Sequence, residues 1–249
     1  MPANNKSLIY IGTSNVVIPG NKKSFPEEFH STSRLHYYSN LFNSVEINQS
    51  FYKMPLRSTY EKWAKDVGDD FKFSVKLSKE ITHVKNLEGD HSIMEQFFNS
   101  ANGIGIKKGC LLVQFPGKIT LEYFSRVEKI LRALKEYDRE GAWQKTVEFR
   151  HPSWYISETW ELLDEFSTGV VLQDHPKAKL FELNGKASFI YIRFHGPSGD
   201  YRDSYSVEFL RQKAVEIKGW MKKGKDVYVY FNNTIGNAFE NARTLQQLL

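Results

Sequence analysis

Eight short apolar runs, rich in β-branched and aromatic residues, punctuate the chain. They are LIYIGTS (8–14), SVEINQSF (44–51), FKFSVKLS (71–78), GCLLVQF (109–115), TVEFRH (146–151), TGVVLQD (168–174), SFIYIRFHG (188–196) and KDVYVYFNN (225–233). Most are nearly continuous rather than alternating, the pattern of parallel strands covered on both faces. Between them the period changes. In LEYFSRVEKILRALKEY (121–137), Phe124, Val127, Ile130, Leu131 and Leu134 fall on one helical stripe, with Thr120 placed to cap its start. In VEFLRQKAVEIKGWMKK (207–223), Phe209, Leu210, Ala214, Ile217 and Trp220 do the same, and Gly224 is placed to close the helix. NAFENARTLQQLL (237–249) supplies a terminal helix, Leu35–Phe42 a shorter one, and 176–187 is the weakest helix candidate.

Strand then helix, repeated eight times, predicts an α/β fold of one kind: a single (β/α)8 TIM-like barrel spanning residues 1–249, with residues 1–7 expected as a flexible N-terminal segment. Such barrels typically need about 250 residues, and this chain has 249. A doubly wound open sheet is the competitor, but no Gly-rich phosphate turn follows the first strand. No linker, repeat or low-complexity tract divides the chain.

In a barrel the carboxyl ends of the strands form the functional face, and here those ends are polar. Strand side chains alternate in direction, so Glu46 and Asn48 share a face, as do Glu148 and Arg150, Arg193 and His195, and Tyr230 and Asn232. Apolar neighbours of opposite parity, such as Val147 and Phe149, are left to face the helices, so the polar pairs are expected to point into the barrel mouth. Lys76, His83, Gln114 and Asp174 sit at or just beyond other strand ends, and Asn233 follows Asn232 at the end of the eighth. Burying so many ionisable groups without partners costs several kcal/mol each, so they must form a network or hold a ligand. A self-satisfied Glu–Arg network is the bland alternative for any single pair.

Lys76, Arg150 and Arg193 are three cations converging on one mouth, and Arg forks suit phosphate or carboxylate. Backbone N–H groups at Gly196, Gly199, Asn232 and Asn233 lie where barrels often bind phosphate. Asn48, Gln114, Asp174 and Tyr230 complete the candidate ligand-binding set. Glu46, Glu148, His195 and His83 are the candidate proton-transfer groups. The expectation is therefore an anion-binding pocket, and an enzyme acting by acid/base chemistry on a phosphorylated sugar or nucleic-acid-like substrate. Hydrolase, lyase and isomerase chemistry all fit.

A rival reading recruits a divalent metal through Glu46, Glu148, Asp174 and His195, although no tight ligand motif supports it and the nearby cations oppose it. A contrasting class is a non-enzymatic binding protein for an anionic metabolite or single-stranded nucleic acid. In that reading Tyr52, Trp154, Tyr155, Tyr201 and Tyr205 would stack on rings, and the carboxylates would be tied to Arg150 and Arg193. A scaffold role would instead predict an exposed apolar patch. His30, His36 and His91 are expected at the surface, His175 in a turn, and His151–Trp154 turning out over the rim.

Composition narrows this modestly. At 41% hydrophobic and 25% charged the chain reads as an ordinary globular protein. Its net charge of +5 permits an anionic ligand but is too weak to diagnose nucleic-acid binding. The single Cys110 excludes an internal disulfide and is expected as an inert core thiol. The opening MPANNKS lacks an apolar signal core, and no stretch approaches the ~18 apolar residues of a membrane span. A reducing cytoplasm, with no membrane partner, is the expected setting.

Seven segments in order, IGTS, VEINQSFYKMP, FKFSVKLSKEITH, GCLLVQFP, VEFRHPSW, YIRFHG and VYVYFNNTIGNAFENA, resemble the YecE-like family, domain of unknown function 72, over nearly the whole chain. The resemblance implies a (β/α)-barrel and supplies no activity, cofactor or substrate. Glu46, Asn48, Lys76, His83, Glu148, Arg150, His195, Asn232 and Asn233 lie within the matching segments. Where relatives follow Gly-Thr-Ser with Gly-Trp, this chain has Asn15-Val16-Val17, which implies a more open or differently shaped mouth.

Overall fold

Each apolar run forms a strand: β1 (Ile9–Thr13), β2 (Ser44–Ile47), β3 (Lys72–Lys76), β4 (Lys108–Phe115), β5 (Gln144–Phe149), β6 (Thr168–Gln173), β7 (Phe189–Phe194) and β8 (Asp226–Phe231). The computed structural model describes residues 7–90, 92–181, 183 and 186–249. Residues 1–6 of the expected flexible segment, and His91, lie outside the described residues. All strand pairings are parallel, in the order β1-β8-β7-β6-β5-β4-β3-β2. This is the (β/α)8 barrel that the pattern predicts.

Helices Arg34–Ser39, Arg57–Lys65, Ser92–Ala101, Phe124–Tyr137, Ser157–Glu165 and Val207–Lys222 connect strands, and Ala238–Leu248 follows β8. Ser33 and Ser206 cap two of them by accepting from His36 N and Phe209 N. Gly224 ends the long helix at φ +80°, a conformation glycine adopts without penalty. The cap expected at Thr120 is not made: Ser153 Oγ accepts from Leu121 N instead, and a 3-10 turn precedes the helix at Phe124. Between β6 and β7 the described residues contain no helix, and Gln173 pairs with Leu180 in an antiparallel bridge.

Side chains of one parity, including Val45, Ile47, Val147, Phe149, Ile192 and Phe194, pack outward into the large core under the helices. The other parity fills the barrel. Tyr10, Cys110, Leu112, Val171, Phe189, Tyr191, Tyr228 and Tyr230 form a separate apolar cluster, with the Tyr10 and Tyr228 rings stacked at 4.6 Å. This aromatic plug makes the lower barrel solid. Cys110 lies within it, and burial pushes its thiol well up from the usual value.

Closure between β1 and β2 is unusual in depending on side chains. One parallel bridge joins Ser14 to Glu46, and Asn15 N donates to Glu46 O at 2.7 Å. Below it, the Tyr38 hydroxyl accepts from Thr13 N (2.7 Å) and donates to Ser44 O (3.2 Å). The Asn43 carboxamide accepts from Ile11 N (2.9 Å) and donates to Ile9 O (2.7 Å). Both side chains thus stand in for missing ladder bonds. Gly12 makes room, since a Cβ there would lie 2.0 Å from Ser44 O and 2.7 Å from the Tyr38 hydroxyl.

Tyr38→Phe leaves two buried backbone groups unpartnered and is expected to cost about 1–3 kcal/mol in urea denaturation. An unchanged denaturation midpoint and slope would show that the hydroxyl does not carry the seam.

Candidate functional site

The polar strand ends converge directly above the aromatic plug. At the centre is Arg193, 1% exposed, on β7. Its Nε and Nη2 form a fork onto Glu46, reaching Oε2 at 2.9 Å and Oε1 at 2.8 Å. Its Nη1 pairs with Glu148 Oε2. Arg150 then meets the other Glu148 oxygen through Nε, as a close ion pair. Four charges from β2, β7, β5 and the residue just beyond β5 therefore alternate in sign across the mouth. Such an arrangement offsets desolvation only when the geometry is good and the remaining lone pairs are filled.

Glu46 fills them. Its carboxylate also accepts from Ser14 Oγ (2.6 Å), Tyr191 Oη (2.7 Å) and Asn48 Nδ2 (3.0 Å). With the Arg193 fork that makes five donors on a group offering about four lone-pair sites. Burial alone would raise the Glu46 carboxyl, but Arg193 and the hydroxyl donors outweigh it and hold it below the usual range. Burial acts the same way on Glu148, and Arg150 and Arg193 overcome it to hold that carboxyl well below the usual range. Neither glutamate is a good proton acceptor near neutral pH.

His195 is fully buried, with Arg150 at one ring nitrogen and Asp174 near the other. Arg150 Nη2 lies 2.8 Å from its Nε2. A guanidinium can only donate, so Nε2 accepts and the ring proton sits on Nδ1. That nitrogen faces Asp174 Oδ1 at 3.4 Å. Burial is the leading cause of its lowered pKa, with Arg193 and Arg150 adding to it. Asp174 is held in turn: one oxygen accepts from His195 N at 2.8 Å, and the other accepts from Tyr205 Oη. His195 therefore lies between Asp174 and the arginines, where burial disfavours its charged form.

Lys76, at the end of β3, is different. Its Nζ donates to Gln114 Oε1 at 2.6 Å and lies 4.0 Å from the centroid of the Phe51 ring. Among the described residues no ion pair includes it. Burial, then Arg193, with Arg150 contributing, outweighs the attraction of Glu148 and Glu46 and lowers its pKa to about 7. His83 meets the same Phe51 ring edge-on at 4.8 Å. Burial and the charges of Lys76, Lys118 and Arg150 lower the His83 pKa to about 4. The β3–β5 side of the mouth is therefore cationic and not internally neutralised at Lys76.

Several expectations need correction. Tyr230 is fully buried within the plug, its hydroxyl shared between Ser44 and Ser74 Oγ, and does not reach the mouth. Asn233 points outward: its Nδ2 donates to Asp203 O and Asn241 Oδ1, both at 2.9 Å, fastening a loop to the last helix. Asn232 is half-buried, and its backbone N–H is used by Phe194 O. Gly196 N donates to Tyr205 Oη and Gly199 N to Gly196 O, so those amides are occupied rather than free for phosphate. Trp154 is buried, stacked 4.3 Å from Phe149 with Nε1 donating to Ile119 O, instead of covering the rim. Tyr155 donates to Ala178 O and Tyr205 is buried, whereas Tyr52 is 70% exposed and Tyr201 half-buried, 5.8 Å from the His195 ring. Glu46, Glu148, Asp174 and His195 do not assemble as ligands: among the described residues no three His, Cys, Asp or Glu side chains could hold a metal ion together.

Residues missed from sequence include Ser14, Phe51, Gln173 and Tyr191. Parity was the available signal for Tyr191 and Gln173, each in phase with a mouth residue or mouth-facing strand end. Gln173 Nε2 donates to Phe149 O (2.7 Å) and the Tyr155 hydroxyl (3.2 Å). At the departure from the family pattern, Asn15 takes φ +63°, which Asn tolerates better than most residues, and its Oδ1 accepts from Asn48 N. A cleft of about 310 Å³ borders Asn15, Val16, Ile47 and Trp63. Another of about 390 Å³ touches the network at Asp174, beside Phe181 and Tyr205, while one of about 400 Å³ lined by Ile81, Leu87, Met94 and Ile130 is remote from it. The charge network, rather than the volume of a cleft, marks the candidate site.

Arg193→Ala strands two buried carboxylates and is expected to cost about 3–5 kcal/mol by denaturant unfolding. Because Glu46 and Glu148 are depressed in the folded state, their contribution is complete above the unfolded glutamate value of about 4.3 and is lost as pH falls further. The stability of the protein should therefore decline below about pH 4.3, and more shallowly in Glu148→Gln; parallel pH profiles would contradict this account.

Comparison with known proteins agrees with the architecture. The family model described as "Protein of unknown function DUF72" matches residues 10–249. UPF0759 protein YunF of Bacillus subtilis is 25% identical, over 97% of this chain and 95% of that one. A DUF72 family protein from Thermotoga maritima superposes with a TM-score of 0.76 at 26% identity, covering 96% of this chain and 98% of that one. A DUF72 family protein from Enterococcus faecalis gives a TM-score of 0.79 at 22% identity, covering 97% and 95%. A barrel with this ordered set of strands, matched from Tyr10 to Leu249, belongs to the DUF72 family.

Proposed function

We propose that the barrel mouth binds an anionic ligand on its β3–β5 side and that the protein is an enzyme acting by acid/base chemistry on a phosphorylated sugar or nucleic-acid-like substrate. The observation that carries this reading is Lys76. It sits at a strand end among cations, with one neutral acceptor, an aromatic face and no carboxylate partner among the described residues. An anion supplies the missing counter-charge, and Arg150, whose side chain is 10% exposed and whose Nη1 has no partner among the described residues, is the neighbouring cation. Asn48 Oδ1 lacks a hydrogen-bond partner, and a ligand hydroxyl would provide one. Exposed Tyr52 at the rim suits stacking on a sugar or base.

The division of labour differs from the simplest expectation. Glu46, Glu148 and His195 hold the arginines, and Lys76, its pKa lowered to about 7 by burial and Arg193, is the group left to react at the mouth. The second reading, a non-enzymatic binding protein in a cytoplasmic setting, is favoured by one observation: both glutamates are tied to Arg193 and Arg150. The titrating lysine is what argues for catalysis. No helix among the described residues is long and apolar enough to cross a membrane.

Binding of inorganic phosphate, a phosphorylated pentose and a short single-stranded oligonucleotide, followed by calorimetry and thermal shift, tests the proposal. Arg150→Ala and Lys76→Met, in folded protein, should each weaken binding of the ligand that registers by roughly tenfold or more, the scale of one charge-assisted hydrogen bond. Binding undiminished in both variants, or no binding of any of the three probes, would reject the anion site.

A further inference from the structure

We infer that Lys76 is an imine-forming nucleophile and that the mouth takes an aldehyde or ketone carrying an anionic group, such as an open-chain phosphorylated sugar. The inference rests on the anion-binding reading of the mouth and adds the reacting atom and the functional group it attacks. Covalent use of a lysine requires three things: a neutral amine, a fixed direction of attack, and surroundings that do not stabilise the ammonium through a carboxylate. Lys76 meets each of them.

Its Nζ is pinned from two sides, by Gln114 Oε1 of β4 at 2.6 Å and by the Phe51 ring at 4.0 Å, so the amine is held rather than swinging in solvent. The groups that face it are Arg193 from β7, Glu148 and Arg150 from β5 and its end, and Glu46 from β2; His83, beyond β3, senses its charge. Both carboxylates are already neutralised by guanidiniums, which leaves Lys76 outside the ion-pair chain. The Phe51 face favours the ammonium, but burial and the two guanidiniums prevail, and the amine titrates near pH 7. A substantial share of Lys76 is then neutral near pH 7, against on the order of one in a few thousand for an ordinary lysine.

The reaction balances without an oxidant or metal. The Nζ lone pair forms a bond to the carbonyl carbon while the C=O π pair moves onto oxygen. One proton passes from nitrogen to that oxygen, giving a carbinolamine. Transfer of the second nitrogen proton and loss of the hydroxyl as water leave the C=N bond, so amine plus carbonyl gives imine plus water. Protonated, the imine draws electrons from its neighbouring carbon and favours breaking a C–H or C–C bond there, which is lyase or isomerase chemistry. Arg150 Nη1, which has no partner among the described residues while Nε and Nη2 meet Glu148 and His195, is the donor that would hold the anionic end of the substrate.

The test uses the wild-type chain, glycolaldehyde phosphate as probe and cyanoborohydride to trap the imine, with adducts mapped by peptide mass spectrometry. Trapping at Lys76 is expected to exceed that at any surface lysine at least tenfold at pH 7. Its rate should level off above about pH 7, while surface lysines continue to gain. Lys76→Met should remove the fast adduct; if that variant does not fold, the wild-type map and pH profile decide. Labelling of Lys76 no faster than surface lysines overturns the inference. Two control arms separate it from the reading beneath it. If phosphate binds and depends on Arg150 but Lys76 is not selectively trapped, the nucleophile fails and the anion site stands. If uncharged glycolaldehyde is trapped at Lys76 as fast as its phosphate ester, and inorganic phosphate does not protect, the anionic substrate class is rejected while the nucleophile stands.

Discussion

The Arg193 guanidinium, buried between Glu46 and Glu148, is the interaction on which the mouth depends. It reaches across the barrel axis from β7 to β2 and to β5, so strands far apart in sequence are held at one level. Its cost is desolvation of three charges, and the structure meets that cost with hydrogen bonds from Ser14, Tyr191 and Asn48. Glu46 has a second task in its backbone, where its peptide closes β1 onto β2 beside Ser14 and Asn15. Closure of the sheet and assembly of the charge network therefore meet at one residue. The aromatic plug immediately below excludes water from the underside of the network and strengthens every electrostatic interaction in it.

That arrangement separates groups that look alike in a list of candidates. A glutamate with five donors and a buried histidine set between Arg150 and Asp174 line the wall of the mouth. Lys76 differs because its neighbours offer it an amide oxygen and a ring, neither of which locks the amine in its charged form as a carboxylate would. The network thus acts on Lys76 at a distance: guanidiniums already paired with carboxylates still raise the local potential.

The strands were legible because burial on both faces leaves near-continuous apolar runs, and because alternation then assigns Glu46, Glu148, Arg150, Arg193 and His195 to one side. Parity alone does not give depth. Tyr230 shares the correct face with Asn232 yet sits within the plug, because the strands are staggered by the tilt of the barrel, which a single strand does not encode. Asn233 was misplaced for the opposite reason, lying on the outward parity and serving Asn241. Thr120 looked like a cap, but Ser153, 32 positions from Leu121 in sequence, took that role. Backbone amides at Gly196 and Gly199 could not be read as occupied, since their partners come from a loop whose path is set by tertiary contacts. Whether a charged group is free or committed is a property of its neighbours across the barrel, and it becomes visible only once those neighbours are placed.

The β1–β2 seam carries a consequence for inheritance. In an ordinary ladder the hydrogen bonds belong to the backbone, so side chains can change without touching them. Here Tyr38 and Asn43 supply the bonds, and Gly12 supplies the space. A side chain at Gly12 would displace the Tyr38 hydroxyl, while loss of that hydroxyl would leave an unfilled gap opposite Gly12. The three positions therefore form one epistatic unit, in which the effect of a change at any one depends on the other two, and drift at the seam must proceed by compensated steps.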